Sequence, residues 1–267
     1  MRNRIITLLT DFGTRDHYVA SMKGVILGIN PRSMLIDISH QVSSQNIQEG
    51  AFYLASAFSF FPKGTIHLSV VDPGVGGPRK PILVVTSRYY FVGPDNGIFT
   101  LALHREKVKQ VVALSNEKYF LSRVSSTFHG RDVFAPVAAH LSLGITPESF
   151  GDEVDSWESL RIAETEQKGR ELRGEIVHID AFGNLISNID EKTFFDVTRS
   201  HNFLIKMGRQ RIHSLKKGYW EGKEGELMAL IGSGGFLEIS IRERSAQESL
   251  QMKRGGKIKV RIVEKTR

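Results

Sequence analysis

The sequence predicts an α/β protein in two parts: an N-terminal α/β/α domain over residues 1–165 with a mostly parallel sheet, and a C-terminal β-barrel-like domain over residues 170–267. Three observations carry this. Through the first half, apolar runs short enough to be buried strands alternate with amphipathic helical segments, the pattern of a sheet covered on both faces. After residue 150 the alternation gives way to short strands separated by turns, with little helix. A chain of 267 residues, 40% hydrophobic and 24% charged, also has the material for one large core or two smaller ones.

Taken in order, residues 5–9 (Ile5, Ile6, Thr7, Leu8, Leu9) read as a fully buried first strand ending at Thr10-Asp11-Phe12-Gly13-Thr14. A helix is expected from Asp16, its N-cap, with Val19, Met22, Ile26 and Ile29 on one face and Pro31 past its end. Residues 34–38 read as a second buried strand. Asn46-Ile47-Gln48-Glu49 resembles a capping box and opens a helix that turns Ile47, Ala51, Leu54, Ala55 and Phe58 inward until Pro62. Residues 65–71 are the third strand, 82–86 and 89–92 a hairpin, and 108–114 a further strand. Between them, Gly93-Pro94-Asp95-Asn96-Gly97 is dense in turn residues and leads into a short helical run. Residues 130–143 read as a helix in which Pro136 is tolerable only near the first turn. The polar stretch 164–170 reads as a linker, and strands follow at 174–179, 185–189, 203–207, 227–231, 236–241 and 257–263.

Composition excludes several function classes. There is no cysteine, so disulfides, thiolate nucleophiles and cysteine metal sites are out, which fits a reducing, cytoplasmic setting. Met1-Arg2-Asn3-Arg4 runs straight into the first strand without a signal-peptide core, and no stretch reaches the roughly 18 apolar residues of a membrane span. The nine histidines are scattered, with neither H-x-x-x-H nor H-x-H spacing, and no metal site is expected. The net charge of +7 is uneven: residues 166–267 carry 20 basic against 14 acidic side chains. Because those Lys and Arg are dispersed between strands without interleaved aromatics, a solvated basic face is expected rather than a nucleic-acid site.

Four polar clusters lie beside glycines at the ends of expected elements. Val71-Asp72-Pro73-Gly74-Val75-Gly76-Gly77-Pro78-Arg79 is a shaped loop leaving a strand's carboxyl end, where open α/β sheets bind ligands. Asp72 and Arg79 can close on one another as a charge-assisted fork. Asp11, at the end of the first strand, can accept from vicinal ribose hydroxyls. His129, beside Gly130 at a helix start, can project into a cleft and exchange a proton if a carboxylate is near. In Asp180-Ala181-Phe182-Gly183-Asn184, Asn184 offers a donor and an acceptor to a ligand edge. Each has a plain alternative as a turn, a cap or a structural histidine.

Together these motifs resemble the S-adenosyl-L-methionine hydroxide adenosyltransferases, relatives of the fluorinase and chlorinase. The resemblance runs through T-D-F-G at 10–13, V-D-P-G-V-G at 71–76 with Arg79, G-P-D-N-G at 93–97, F-H-G-R-D at 128–132, F-G-N at 182–184 and Gly232-Ser233 before Gly235. It implies attack of water or hydroxide on C5′ of S-adenosylmethionine, a substrate rather than a bound cofactor, releasing adenosine and L-methionine. It implies Asp72, Arg79 and His129 as the catalytic set, with either His129 or Asp72 receiving the proton. Asp11 would hold the ribose hydroxyls, Phe128 and Gly130 line the pocket around C5′, and Asp180, Asn184 and Ser233 hold the methionine portion. Asn184 and the strand from Phe236 would lie near the adenine. A metal-independent homotrimer with sites at subunit interfaces is implied too. Two features are atypical of the family: Gly77-Pro78 before the arginine, and the charged segment 241–246. The alternatives are a silent binder of adenosine or S-adenosylmethionine, and a halide-using adenosyltransferase. Against halide stands the cost of an anion beside Asp72, several kcal/mol at about 4 Å for a local dielectric of ~20. The chain also lacks a long insertion between Thr86 and Tyr89.

Overall fold

The computed structural model describes residues 5–199 and 201–263, so Met1-Arg2-Asn3-Arg4 lie outside the described residues. Contacts divide the chain into two compact units between Leu160 and Arg161.

The first unit is a three-layer α/β/α structure. Its strands are β1 (Ile5–Thr10), β2 (Met34–Ser39), β3 (Ile66–Val70), β4 (Pro81–Thr86), β5 (Tyr90–Pro94) and β6 (Val108–Ala113), ordered β2-β1-β3-β5-β4-β6. The β2-β1, β1-β3 and β3-β5 pairs are parallel, while β4 runs antiparallel to both β5 and β6. Alternation decides what each face buries. Ile6, Leu8, Leu68 and Leu83 meet α1 (Tyr18–Ile29) and, later in the chain, the helix carrying Val137 and Ala138. Leu9, Ile82, Val84 and Phe91 meet α2 (Ile47–Ala57) and α3 (Thr100–Leu103) on the other side. Asn46 caps α2 as expected, accepting the Glu49 N–H at 3.2 Å. The reciprocal half of that box is missing, because Glu49 Oε2 accepts from the Ser43 N–H instead. The helix expected from Asp16 begins at Tyr18, with His17 at the N-cap and no side-chain cap bond. The helix over 130–143 is also not uniform. A π turn, Gly130–Phe134, precedes α4 (Ala135–Ser142), which places Pro136 in the first α turn.

The second unit is an antiparallel, nearly closed barrel-like sheet. Its strands are β7 (Glu166–Lys168), β8 (Glu171–Ile179), β9 (Leu185–Asp190), β10 (Asn202–Met207), β11 (Gln210–Ile212), β12 (Leu227–Ile231), β13 (Phe236–Ile241) and β14 (Lys257–Val263). The ladder runs β11-β10-β14-β8-β9-β13-β12, with β7 paired to β8. Just past β11, Leu215 bridges Ala229 of β12 and the Lys216 N–H donates to the Ala229 carbonyl at 2.8 Å, drawing the two ends of the ladder together. β8 bends to serve two neighbours. Its first residues pair with β14, its last with β9, and the register shifts between Ile176 and His178. The stretch 164–170, read as a linker, instead contributes β7 as one arm of a hairpin. Two helices, α5 (Glu191–Thr198) and α6 (Ala246–Leu250), cover one apolar core made of Leu172, Ile176, Phe194, Ile239 and Val260 among others.

Candidate active site

In the first unit the sheet brings Asp72, Arg79 and His129 together. Asp72 leaves the end of β3, and the loop turns back at once: the Val75 N–H donates to the Asp72 carbonyl and the Gly77 N–H to that of Gly74. Gly74 lies against the Arg79 side-chain stem. Gly76, at φ +74°, sits so close to the Ser126 carbonyl that a Cβ would collide with it. From the next turn, Asn96 Nδ2 donates to the Val71 carbonyl at 2.8 Å while its Oδ1 accepts the Ile98 N–H. The G-P-D-N-G motif thus braces the loop that carries Asp72.

Arg79 is the hub. Its Nε donates to both Asp72 oxygens at 3.1 Å, and its Nη2 donates to Asp72 Oδ2 at 2.5 Å and to His129 Nδ1 at 2.8 Å. The pair is buried, with side-chain exposures of 10% for Arg79 and 4% for Asp72. The guanidinium packs over the Phe134 ring from the π turn, 5.4 Å from its centroid. A guanidinium has donors only, so His129 Nδ1 must accept, and the neutral ring carries its proton on Nε2. Burial and then the Arg79 charge lower the His129 pKa below the usual 6.5, outweighing Asp72 and Asp132, which pull it upward.

His129 and Gly130 open the π turn. Gly130 is buried against Met22, Phe128 and Phe12, so that a Cβ there would press on all three side chains at 3.3–3.4 Å. Phe128 meets Phe12 and Tyr18 edge-on, and these three rings with Ser125, Thr127 and Arg131 line a cavity of about 350 Å³. Asp11 lies at the end of β1, where its Oδ2 accepts the Gln45 N–H at 2.7 Å.

The second unit carries a larger cavity, about 850 Å³, into which Asp180, Asn184 and Ser233 all fall. Asp180 is spent on the turn: its Oδ1 accepts the Phe182 and Asn184 N–H groups and its Oδ2 the Asn184 side-chain amide, each at 2.9 Å. These bonds fix Asn184, and Oδ2, with one partner, keeps an acceptor position on the cavity that Asp180 lines. Phe236 is not among the lining residues; its carbonyl closes the turn to Gly232 at the start of β13. Sequence reading missed Tyr219, Trp220 and Glu238 on the same wall. Glu238 is 6% exposed, and its Oε1 accepts from the Tyr219 and Ser240 hydroxyls at 2.6 and 2.7 Å. Burial, then that bond, raises the Tyr219 pKa. The signal for Glu238 was available, since one carboxylate stands alone in the apolar strand Phe236–Ile241. Trp220 lies in a single 3₁₀ turn, Tyr219–Glu221, too short to carry a pattern, and gave none.

Two family models match the chain, the SAM hydroxide adenosyltransferase N-terminal domain over residues 6–151 and its C-terminal domain over 174–259. The chain belongs to the SAM hydroxide adenosyltransferase family. Among its relatives, a protein of Methanocaldococcus jannaschii named (R)-S-adenosyl-L-methionine hydrolase is 43% identical over 246 residues, 88% of each chain. One of the same name from Thermus thermophilus is 34% identical, over 94% of this chain and 97% of its own. A Thermotoga maritima crystal structure described as an uncharacterized conserved protein superposes with TM-score 0.90 at 36% identity, covering 96% of this chain and 99% of that one. Fluorinases match at lower identity, 28% for that of Actinoplanes over 70% of this chain. Among the described residues no three His, Asp or Glu side chains are grouped so as to hold a metal ion, and no helix is long and apolar enough to cross a membrane.

Proposed function

We propose that this protein hydrolyses S-adenosylmethionine by attack of water on C5′, giving adenosine, L-methionine and a proton, and that its substrate is the (R)-sulfonium epimer named for its relatives. The observation that carries this reading is the buried Arg79 fork holding Asp72 and His129. The sulfonium is already an activated leaving group and departs as neutral methionine, so the proposed reaction asks nothing of a metal or a general acid. What it needs is an aligned, polarised water in a site otherwise closed to solvent.

The hydrogen bonds favour one division of labour. His129 in its neutral form presents Nε2–H, a donor, while its Nδ1 lone pair is held by Arg79. Asp72 Oδ1 receives only the 3.1 Å bond from Nε, so its remaining lone pair is the acceptor left for the water's proton. Asp11 is assigned to the ribose hydroxyls, Phe128 and Gly130 to the surroundings of C5′, and Asn184 and Ser233 to the methionine end. Phe182 and Trp220, 80% and 71% exposed, offer ring faces for the adenine. Halide in place of water is disfavoured by the carboxylate of Asp72. A cytoplasmic homotrimer with sites at subunit interfaces completes the proposal, and the mass of the native protein in solution tests the assembly.

The deciding experiment supplies each sulfonium epimer in ¹⁸O-water. The expected products are adenosine labelled at its 5′ oxygen and unlabelled methionine, from the (R) epimer in preference, with release abolished in Asp72→Ala and His129→Ala. Co-purifying adenosine with no turnover would favour a silent binder instead, and a 5′-halogenated nucleoside formed with added halide would favour the halogenating relatives.

A further inference from the structure

Asp11 does not stand alone at the end of β1: the segment from His40 to Gln45 clasps the loop that carries it. The His40 carbonyl accepts the Gly13 N–H at 2.7 Å, Gln41 Nε2 donates to Thr14 Oγ1 at 3.3 Å, and the Gln45 N–H donates to Asp11 Oδ2 at 2.7 Å. Gln45 is held at φ +64°, a left-handed conformation uncommon for a residue with a side chain. The bonds on either side, Ser43 N–H to Glu49 Oε2 and Asn46 N–H to the Ser43 carbonyl, keep it there.

Beneath this clasp runs a chain of side chains. Thr10 is fully buried, its Oγ1 lying 3.3 Å from the Phe12 N–H and 2.8 Å from His40 Nδ1. His40 is itself 6% exposed, and its Nε2 faces Asp37 Oδ1 at 3.0 Å, with Lys23 on the other oxygen at 2.6 Å. With the ring proton on Nε2, close to Asp37 but without the direction of a hydrogen bond to it, the Thr10 hydroxyl donates to Nδ1 and the same oxygen accepts the Phe12 N–H. The chain ends on the backbone immediately after Asp11.

We infer that Thr10 and His40 are positioning residues for ribose recognition: they fix the backbone on either side of Asp11 so that its carboxylate is aimed before the substrate arrives. This rests on the proposed role of Asp11 and extends it to two buried residues that touch no substrate. Pre-aimed groups act on affinity, because ordering paid in advance is not charged to binding.

The test is a double-mutant cycle read in KM and kcat on S-adenosylmethionine. Thr10→Val keeps the shape and removes the hydroxyl; it should raise KM about tenfold with kcat changed by no more than about twofold, as for one lost buried hydrogen bond. Thr10→Ser, which restores the hydroxyl, should bring KM back. In an Asp11→Ala background Thr10→Val should add less than about a twofold change. A purely structural role predicts the same rise in both backgrounds, and that result overturns the inference. KM is insensitive to the fraction of enzyme folded, and if Thr10→Val does not fold, His40→Phe carries the same cycle. If Asp11→Ala leaves KM unchanged while adenosine is still released, the ribose role of Asp11 falls and this inference falls with it, though hydrolysis stands.

Discussion

Arg79 decides what its two neighbours can do. By donating to His129 Nδ1 it fixes the tautomer, and by forking onto Asp72 it fixes the carboxylate's orientation. If Asp72 takes the proton, Asp72→Asn should cost about 10²–10⁴ in kcat, the usual worth of a general base. His129→Asn, whose side-chain oxygen can still accept from Arg79, should then retain far more activity than His129→Ala; equal losses would return the base to the histidine. The pH profile gives a second reading. Protonating His129 sets a cation against Arg79 and breaks their bond, so activity should fall on the acid side with an inflection below 6.5, since burial and Arg79 depress that pKa. Arg79→Gln removes one depressing cause, so whatever activity remains should show its acid limb at higher pH. The family resemblance picked out all three residues from motifs around glycine-bearing loops, and the structure brings them together. The tautomer was not legible in those motifs, being set by a contact between residues 50 apart.

At the scale of elements, the loop leaving β3 works only because glycines allow it to approach other backbone. Gly76→Ala adds a Cβ against the Ser126 carbonyl at a φ that side chains avoid. The variant should fold yet lose about 10²-fold in activity, as expected when catalytic groups are displaced by about 1 Å. β3 itself carries His67, fully buried, bonded through Nδ1 to Thr7 and enclosed by Phe58, Phe61, Tyr89 and Phe91. Burial lowers its pKa from 6.5 to about 3. The unfolded chain then binds a proton that the folded one refuses, so this contribution to stability is intact above pH 6.5 and is lost as pH falls toward 3. Urea unfolding should show it as a slope of about 1.4 kcal/mol per pH unit, flattened in His67→Phe. The regular strands were legible because uninterrupted apolar runs such as Ile82-Leu83-Val84-Val85 have few other uses. β7 and β11 were not, since three-residue polar strands gain their pairing from neighbours rather than from any pattern of their own.

At the scale of the chain, composition located the change from α/β to β and read the junction between residues 165 and 170, whereas contacts divide the chain between Leu160 and Arg161. The reading of 164–170 as a linker rested on polarity, yet polarity there reflects an exposed edge hairpin rather than a free connection. The contacts instead tie residue 160 backward and residues 163–168 forward. The Leu160 N–H donates to Thr100 Oγ1, while the Ala163 carbonyl accepts from Asn188 Nδ2 and Thr165 Oγ1 donates to the Asn188 carbonyl. Asn188 also accepts the Glu175 N–H, where β8 changes partners. We propose the domain boundary at 160/161, with almost no linker at all. Two fragments separate this from the later boundary. One beginning at residue 161 keeps the bonds of Ala163 and Thr165 to Asn188 together with β7, and one beginning at 170 loses them all. At about 1 kcal/mol for each net hydrogen bond, the longer fragment should be the more stable by roughly 2–4 kcal/mol in denaturant. Because small barrels are marginal to begin with, that difference should decide which of the two is recovered folded. Equal midpoints would return the boundary to the polar stretch.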